Sequence, residues 1–292
     1  MQNIRLNEEC KNCIISKYLK DYPEDADFEA RLGYIQGVLK ILAEAKITES
    51  APELVEKVAL LREKIFGAQN DFSEIKKHFN SLVMSLENEI YGKIQADSNT
   101  VETALKYSMM GNYIDFGVVE NVDEKKLMEF LDKAPEVEIN EGEYKRFEKE
   151  LGTARKMVFL TDNCGEVVLD KLLIKAIRSR FPQLNIEIIV RGLPVLNDAT
   201  MEDAKQVKLE DIASVSDNGT AIAGTCLERI SPEARQKIDE ADLILAKGQG
   251  NFETLRYCKK NVYYAFMCKC KMFAEKFGVP QYTGMFINDL RI

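Results

Sequence analysis

Tryptophan is absent from this chain of 292 residues, histidine occurs once, and only 7 prolines and 16 glycines are present. A lone histidine, His78, excludes any catalytic arrangement or metal centre that needs two imidazoles. So little proline and glycine excludes collagen-like and low-complexity classes. A composition of 46% hydrophobic and 30% charged residues is that of a globular protein rather than a disordered one. No apolar run approaches the roughly 20 residues that span a bilayer, and the segment Met1 to Lys20 has no apolar stretch or cleavage site of a signal peptide. Seven cysteines form an odd count without an export signal, which suits free thiols in a reducing cytoplasm better than a disulfide framework. The formal net charge of −8 argues against a nucleic-acid partner, because phosphate-backbone binding needs clustered Lys and Arg. The expectation is a soluble, cytoplasmic protein with neither a membrane nor a nucleic acid as partner.

The first hundred or so residues carry helical periodicity. Leu32, Ile35, Val38, Leu39 and Leu42 recur at three- and four-residue steps, as do Leu54, Val58, Leu61 and Ile65, and then Ile75, Phe79, Leu82, Val83, Leu86 and Ile90. Ser50-Ala-Pro-Glu53 reads as a capping box with proline in the first turn. The texture changes near residue 155. Short apolar runs at Lys156–Thr161, Asn185–Val190, Ala241–Ala246 and Asn261–Met267 alternate with helical stretches, the pattern of a mostly parallel sheet covered on both faces. The fold class expected is α/β: a helical domain or cap over residues 1–105 and an α/β domain over 106–292.

Ligands of such sheets gather at the carboxyl ends of the strands. Asp162 and Asn163 follow the first run directly, and Asp198 lies just beyond the second. Carboxylate and amide oxygens are hard ligands suited to Mg²⁺ or Mn²⁺, although each residue also has the type that caps a following helix. Lys247-Gly-Gln-Gly-Asn251 follows the third run. There Lys247 and the backbone N–H groups from Gly248 onward suit an anion, without Walker A spacing. Glu166 and Asp170 are four apart on one helical face, Glu166 within reach of the site and Asp170 expected at the surface or behind it. Hard ligands at two strand ends and an anion loop at a third suit metal-assisted phosphoryl chemistry.

Five ordered motifs resemble the damage-control phosphatase family, long catalogued as domain of unknown function 89. They are Cys10-Lys-Asn-Cys13, Gly111-Asn-Tyr-Ile-Asp-Phe-Gly117, Asp162-Asn-Cys-Gly-Glu166 with Asp170, Pro194-Val-Leu-Asn-Asp-Ala-Thr200 with Asp203, and Lys247-Gly-Gln-Gly-Asn-Phe-Glu253. The resemblance covers nearly the whole chain, and the Cys-x-x-Cys places it in the family's prokaryotic branch. It implies a Rossmann-like α/β/α domain after the helices, and hydrolysis of phosphate monoesters of small, sugar-derived or damaged metabolites with Mn²⁺, Co²⁺, Ni²⁺ or Mg²⁺. By it, Asp162, Asn163 and Asp198 would hold the metal, Lys247 and Gly248 would take the substrate phosphate, and Asn112 and Asp115 would lie on the substrate side with Glu166. Cys226 stands where many relatives carry an acid, in Gly224-Thr-Cys-Leu-Glu228.

The cysteines leave alternatives open. Cys10 and Cys13 have the spacing of half a metal site, and the resemblance implies a linked role for Cys10, Cys13 and Cys270, as a structural Zn²⁺, an iron–sulfur centre or a redox pair. Buried thiols without chemistry are the plainer alternative. Two other functions compete with phosphatase. A carboxyl methyltransferase using S-adenosylmethionine lacks its Gly-x-Gly-x-Gly loop here, and a non-catalytic metal- or metabolite-binding module would suit the Cys226 departure.

Overall fold

Helices come first because long stretches lack β-branched alternation and carry caps. The computed structural model describes residues 5–67, 71–117 and 122–292; residues 1–4 and 68–70 of the expected helical domain and 118–121 of the expected α/β domain lie outside the described residues. Helices α1 (Glu8–Tyr18), α2 (Phe28–Glu44) and α3 (Ala51–Phe66) form a unit with its own core of Leu6, Cys10, Ile14, Tyr34, Val38, Leu42, Leu54 and Val58. Ser50 caps α3 as expected, its N–H and Oγ both 2.7 Å from Glu53 Oε2. The buried stripe of α2 is rotated from the one expected. Tyr34, Val38 and Leu42 face inward, and Leu32 and Leu39 are exposed.

Next come α4 (Ser73–Ala96), α5 (Thr100–Gly111), α6 (Glu124–Asp132) and α7 (Glu141–Thr153). The α/β part then runs β1 (Lys156–Leu160), α8 (Glu166–Arg180), β2 (Asn185–Val190), α9 (Met201–Gln206), β3 (Ser214–Asp217), α10 (Pro232–Glu240), β4 (Leu243–Lys247), α11 (Gly248–Leu255), β5 (Val262–Cys268), α12 (Lys271–Phe277) and β6 (Thr283–Asn288). The strand order is β3-β2-β1-β4-β5-β6, parallel throughout except for β6, which runs antiparallel to β5. No helix among the described residues is long and apolar enough to cross a membrane.

The continuous apolar runs follow from burial of both sheet faces. Met157, Phe159, Ile186, Ile188, Leu243, Leu245, Tyr263 and Ala265 face one core, shared with α4, α5, α7 and α8. Val158, Leu160, Ile189, Ile244, Ala246, Tyr264 and Phe266 face the other, under α10, α11 and α12. Each fully buried aliphatic side chain contributes about 1.5–3 kcal/mol. Helices α4 and α5 share their core with α8 rather than with α1–α3. The expected division at residue 105/106 falls inside α5, and the buried clusters change over between α3 and α4. The strand order reverses between β1 and β4, which opens a crevice at their carboxyl ends.

Candidate active site

Parallel pairing of β1 with β2 brings the two loops beyond them side by side. Ala199 N–H donates to Asp162 O at 2.7 Å, and Cys164 N–H to Asn197 O at 2.8 Å. Asn163 and Asp198 form an isolated antiparallel bridge, so the three residues expected as ligands converge. All three are buried.

Which oxygens remain open decides what can bind there. Asp162 Oδ2 accepts from Asn163 Nδ2 at 2.6 Å and Asn112 Nδ2 at 3.0 Å. Arg191, buried at the end of β2, donates from Nε to Asp198 Oδ2 at 2.7 Å and from Nη2 to Asp162 Oδ1 at 3.3 Å. Asn163 Oδ1 and Asp198 Oδ1 accept no hydrogen bond among the described residues, and Asp162 Oδ1 has only the long one. Burial, followed by the charges of Asp198 and Glu166, pushes the Asp162 carboxyl well above its usual range, against the pull of Arg191 and Lys269. Burial pushes Asp198 up to about 6 despite Arg191. Crowded, desolvated carboxylates with open oxygens suit a small hard dication. Among the described residues no three His, Cys, Asp or Glu side chains are grouped to hold a metal. An ion here would rest on two carboxylates and an amide, with water and substrate completing its shell.

Lys247 differs from expectation. No loop separates it from a helix: it is the last residue of β4, and α11 begins at Gly248. It is fully buried, and its ammonium donates to Glu166 Oε1 at 2.6 Å, Asp170 Oδ1 at 2.8 Å and Ser108 O at 3.0 Å. Those are all three donors of a lysine. Burial alone would lower its pKa, but Asp170 and Glu166 hold it above the usual value. Asp170, expected at the surface or behind the site, is buried with Oδ2 unpartnered, and burial raises its carboxyl to about 7.

Gly248 has a φ of +80°, and a Cβ there would lie 1.9 Å from Asp162 Oδ2. Only glycine lets the start of α11 meet that carboxylate. Glu166 reaches the site as expected, accepting at Oε2 from Asn112 Nδ2 at 2.8 Å and Asn163 Nδ2 at 3.1 Å. Asn112 is a buried brace rather than an open contact, since its Oδ1 also accepts from Met267 N at 3.0 Å. Asp115 is half-buried and pairs with Lys269 at 2.6 Å.

Arg191 and Lys269 escaped the sequence reading. Both stand at the carboxyl end of a strand, the position that could have singled them out: Arg191 just after β2, and Lys269 just after β5. The Lys269 side chain is 1% exposed, its charge lowers the Asp162 pKa, and Asp115 is its ion-pair partner. A cleft of about 1420 Å³ lies beside the loop that carries Asp198, lined among others by Tyr18, Arg62, Phe72, Lys76, Phe116 and Thr200. Leu196 and Thr200, which flank Asp198, both line it.

The thiols remain free. Cys10 is buried on α1, Cys13 is exposed one turn on, and Cys270 caps α12. Burial, then Glu253, and more weakly Cys270 push the Cys10 thiol up to about 11. Cys226 is buried between Glu53 Oε1 and Glu228 Oε2, each 3.4 Å from its sulfur.

The profile of the damage-control phosphatase ARMT1-like domain matches residues 6–285. A damage-control phosphatase of Archaeoglobus fulgidus is 30% identical over 284 residues, covering 94% of this chain and 96% of that one. One of Pyrococcus horikoshii is 29% identical over 285 residues, covering 95% and 96%. An uncharacterised protein of Methanocaldococcus jannaschii is 29% identical over 287 residues, covering 95% and 93%. The crystal structure of a DUF89 family protein from Pyrococcus horikoshii superposes with a TM-score of 0.78 at 26% identity, covering 97% of this chain and 99% of that one.

Proposed function

The chain belongs to the damage-control phosphatase family defined by the ARMT1-like domain, and from that premise we propose that it is a metal-dependent phosphatase of small phosphorylated metabolites, sugar-derived or damaged. The observation that carries the proposal is the convergence of Asp162, Asn163 and Asp198 from two strand ends, with oxygens left open and two buried cations alongside. Asp162, Asn163 and Asp198 would hold Mn²⁺, Co²⁺, Ni²⁺ or Mg²⁺, and the chemistry so supplied is polarisation of a phosphoryl oxygen and a lower pKa for water.

The chain's own residues do the rest. Arg191 fixes Asp198 through Oδ2, which leaves Asp198 Oδ1 directed at the ion site, and Asn112 and Asn163 fix Asp162 through Oδ2, which leaves its Oδ1 with only the long contact to Arg191. Asn112 and Glu166 orient the Asn163 and Asp162 side chains from behind. Lys269, with one carboxylate partner among the described residues rather than three acceptors, has N–H groups to offer a phosphoryl oxygen, which the saturated Lys247 has not. Lys247 instead neutralises the Glu166–Asp170 pair and keeps the floor of the site in place. The first turn of α11 adds backbone N–H groups and the positive end of its dipole. The organic part of the substrate extends into the cleft past Leu196 and Thr200.

The test is release of inorganic phosphate from a panel of sugar phosphates by chelator-stripped protein, alone and with each metal restored. Metal-restored turnover on at least part of the panel is expected. Folded protein that releases nothing with any of the four metals would overturn the proposal.

A further inference from the structure

Two residues of α4, one turn apart, reach both metal-bearing loops from outside the sheet. Asn80 is fully buried, with both amide donors and its side-chain oxygen engaged. Its Oδ1 accepts from Gly165 N at 2.6 Å, two residues past Asn163. Its Nδ2 donates to Asp203 Oδ1 and to Gln206 Oε1, each at 2.9 Å, in the helix that follows Asp198. Lys76 pairs with Asp203 Oδ2 at 2.7 Å, and the same oxygen accepts from Thr200 N at 2.8 Å and Thr200 Oγ1 at 2.9 Å. Gly165 has a φ of +68°, and a Cβ there would lie 2.7 Å from Ile114 and 3.3 Å from Phe79 of α4, so a side chain would crowd both.

We propose that Asn80 is a positioning residue that holds the Asp162–Asn163 loop and the Asp198 loop at the separation their shared ion requires. The proposal rests on the metal-dependent phosphatase reading. Backbone bonds join the two loops on their inner side, at Ala199 to Asp162 and Cys164 to Asn197. Asn80 joins them on the outer side, so a change of spacing breaks one of its bonds. Buried amides with every bond made specify a single geometry, and losing one leaves the others' partners unsatisfied. Lys76 holds Asp203, the second anchor, through the 2.7 Å ion pair to its other carboxylate oxygen.

The experiment compares Asn80→Ala with Ile90→Ala, which removes core packing from the same helix away from both loops. Hydrogen exchange is followed in peptides covering residues 161–168 and 196–206, and Mn²⁺ binding by the electron-paramagnetic signal of the free ion. In Asn80→Ala both segments exchange faster, and the Mn²⁺ dissociation constant rises about tenfold or more, as for other residues that orient metal ligands. In Ile90→Ala neither changes by more than about twofold, whatever the loss of melting temperature. Should Asn80→Ala fail to fold, Gln206→Ala removes one of the two acceptors in α9 and keeps the bond from Gly165 to Asn80. Faster exchange in 196–206 but not 161–168 is then expected, and no change in either segment overturns the proposal. Folded Asn80→Ala with unchanged exchange in both segments or unchanged Mn²⁺ affinity also overturns it. Wild-type protein without metal-dependent phosphate release overturns the phosphatase reading instead, and the exchange result still decides whether Asn80 spans the loops.

Discussion

Replacing Gly248 by alanine adds one methyl group at the most crowded point of the site. The new Cβ would lie 1.9 Å from Asp162 Oδ2 and 2.1 Å from its Cγ, where real contacts begin near 3 Å. Either Asp162 or the start of α11 must move by more than an ångström. Asp162 cannot turn without losing the bonds from Asn112, Asn163 and Arg191. The φ of +80° also becomes unfavourable once a Cβ is present, costing about 1–2 kcal/mol. In a chain of this size that is a fall in melting temperature of about 2–4 °C per kcal/mol. The loss of turnover is larger, on the order of 100-fold, because a misplacement of about 1 Å at reacting groups costs that much. Gly33→Ala is the control. It lies inside α2 with open space around its Cβ position, so alanine there stabilises by roughly 0.5–1 kcal/mol and leaves turnover alone. Steady-state phosphate release with Mn²⁺ and thermal melts of both variants read the contrast. Gly248→Ala with wild-type kcat would refute the placement of Asp162 against α11.

The two buried lysines separate in the same assays. Lys269→Met raises KM for the phosphate ester at least tenfold with a small stability loss, since Asp115 is half-buried and can be solvated. Lys247→Met leaves Glu166 and Asp170 buried without their cation and destabilises by about 3–5 kcal/mol in urea unfolding. Asp170 sets a pH dependence in the metal-free protein. Its folded pKa of about 7 lies above the ordinary 3.8, so its contribution is complete below the ordinary value and lost as pH rises through 7. The gain in melting temperature from pH 7.5 to pH 5 therefore shrinks in Asp170→Asn, and an unchanged gain would assign it elsewhere. Cys226→Asp places a carboxylate against Glu53 and Glu228 and destabilises by roughly 1–3 kcal/mol, while Cys226→Ser costs less; equal urea midpoints for the two would contradict the contact.

Strands β1, β2, β4 and β5 were legible because burial on both faces makes each a predominantly apolar run, broken in β2 only by Glu187. Strand β3, Ser-Val-Ser-Asp, is a short edge strand, and β6 is the antiparallel edge on the far side; neither has the composition of a strand buried on both faces. The convergence of Asp162, Asn163 and Asp198 could be read because parallel pairing brings the loops after adjacent strands together. The same logic misjudged Lys247. A lysine beside glycines suggests an exposed anion loop, and only the packing of α5 and α8 against β4 shows that Glu166, Asp170 and Ser108 enclose it. Asn80, Lys76 and Lys269 gave no signal in the sequence. Their roles depend on partners 85, 127 and 154 residues away in the chain, and periodicity does not carry such distances.

The most direct measurement is the rate of phosphate release against added Mn²⁺ for chelator-stripped wild-type protein, Asp162→Ala and Asp198→Ala. Expected are no release without metal, saturable activation of the wild type, and loss of more than about 100-fold in either variant with the fold retained, since each carboxylate would hold the ion that polarises the phosphoryl oxygen. Full turnover by either variant at saturating Mn²⁺, or the same rate with and without metal, would contradict the metal-dependent phosphatase reading.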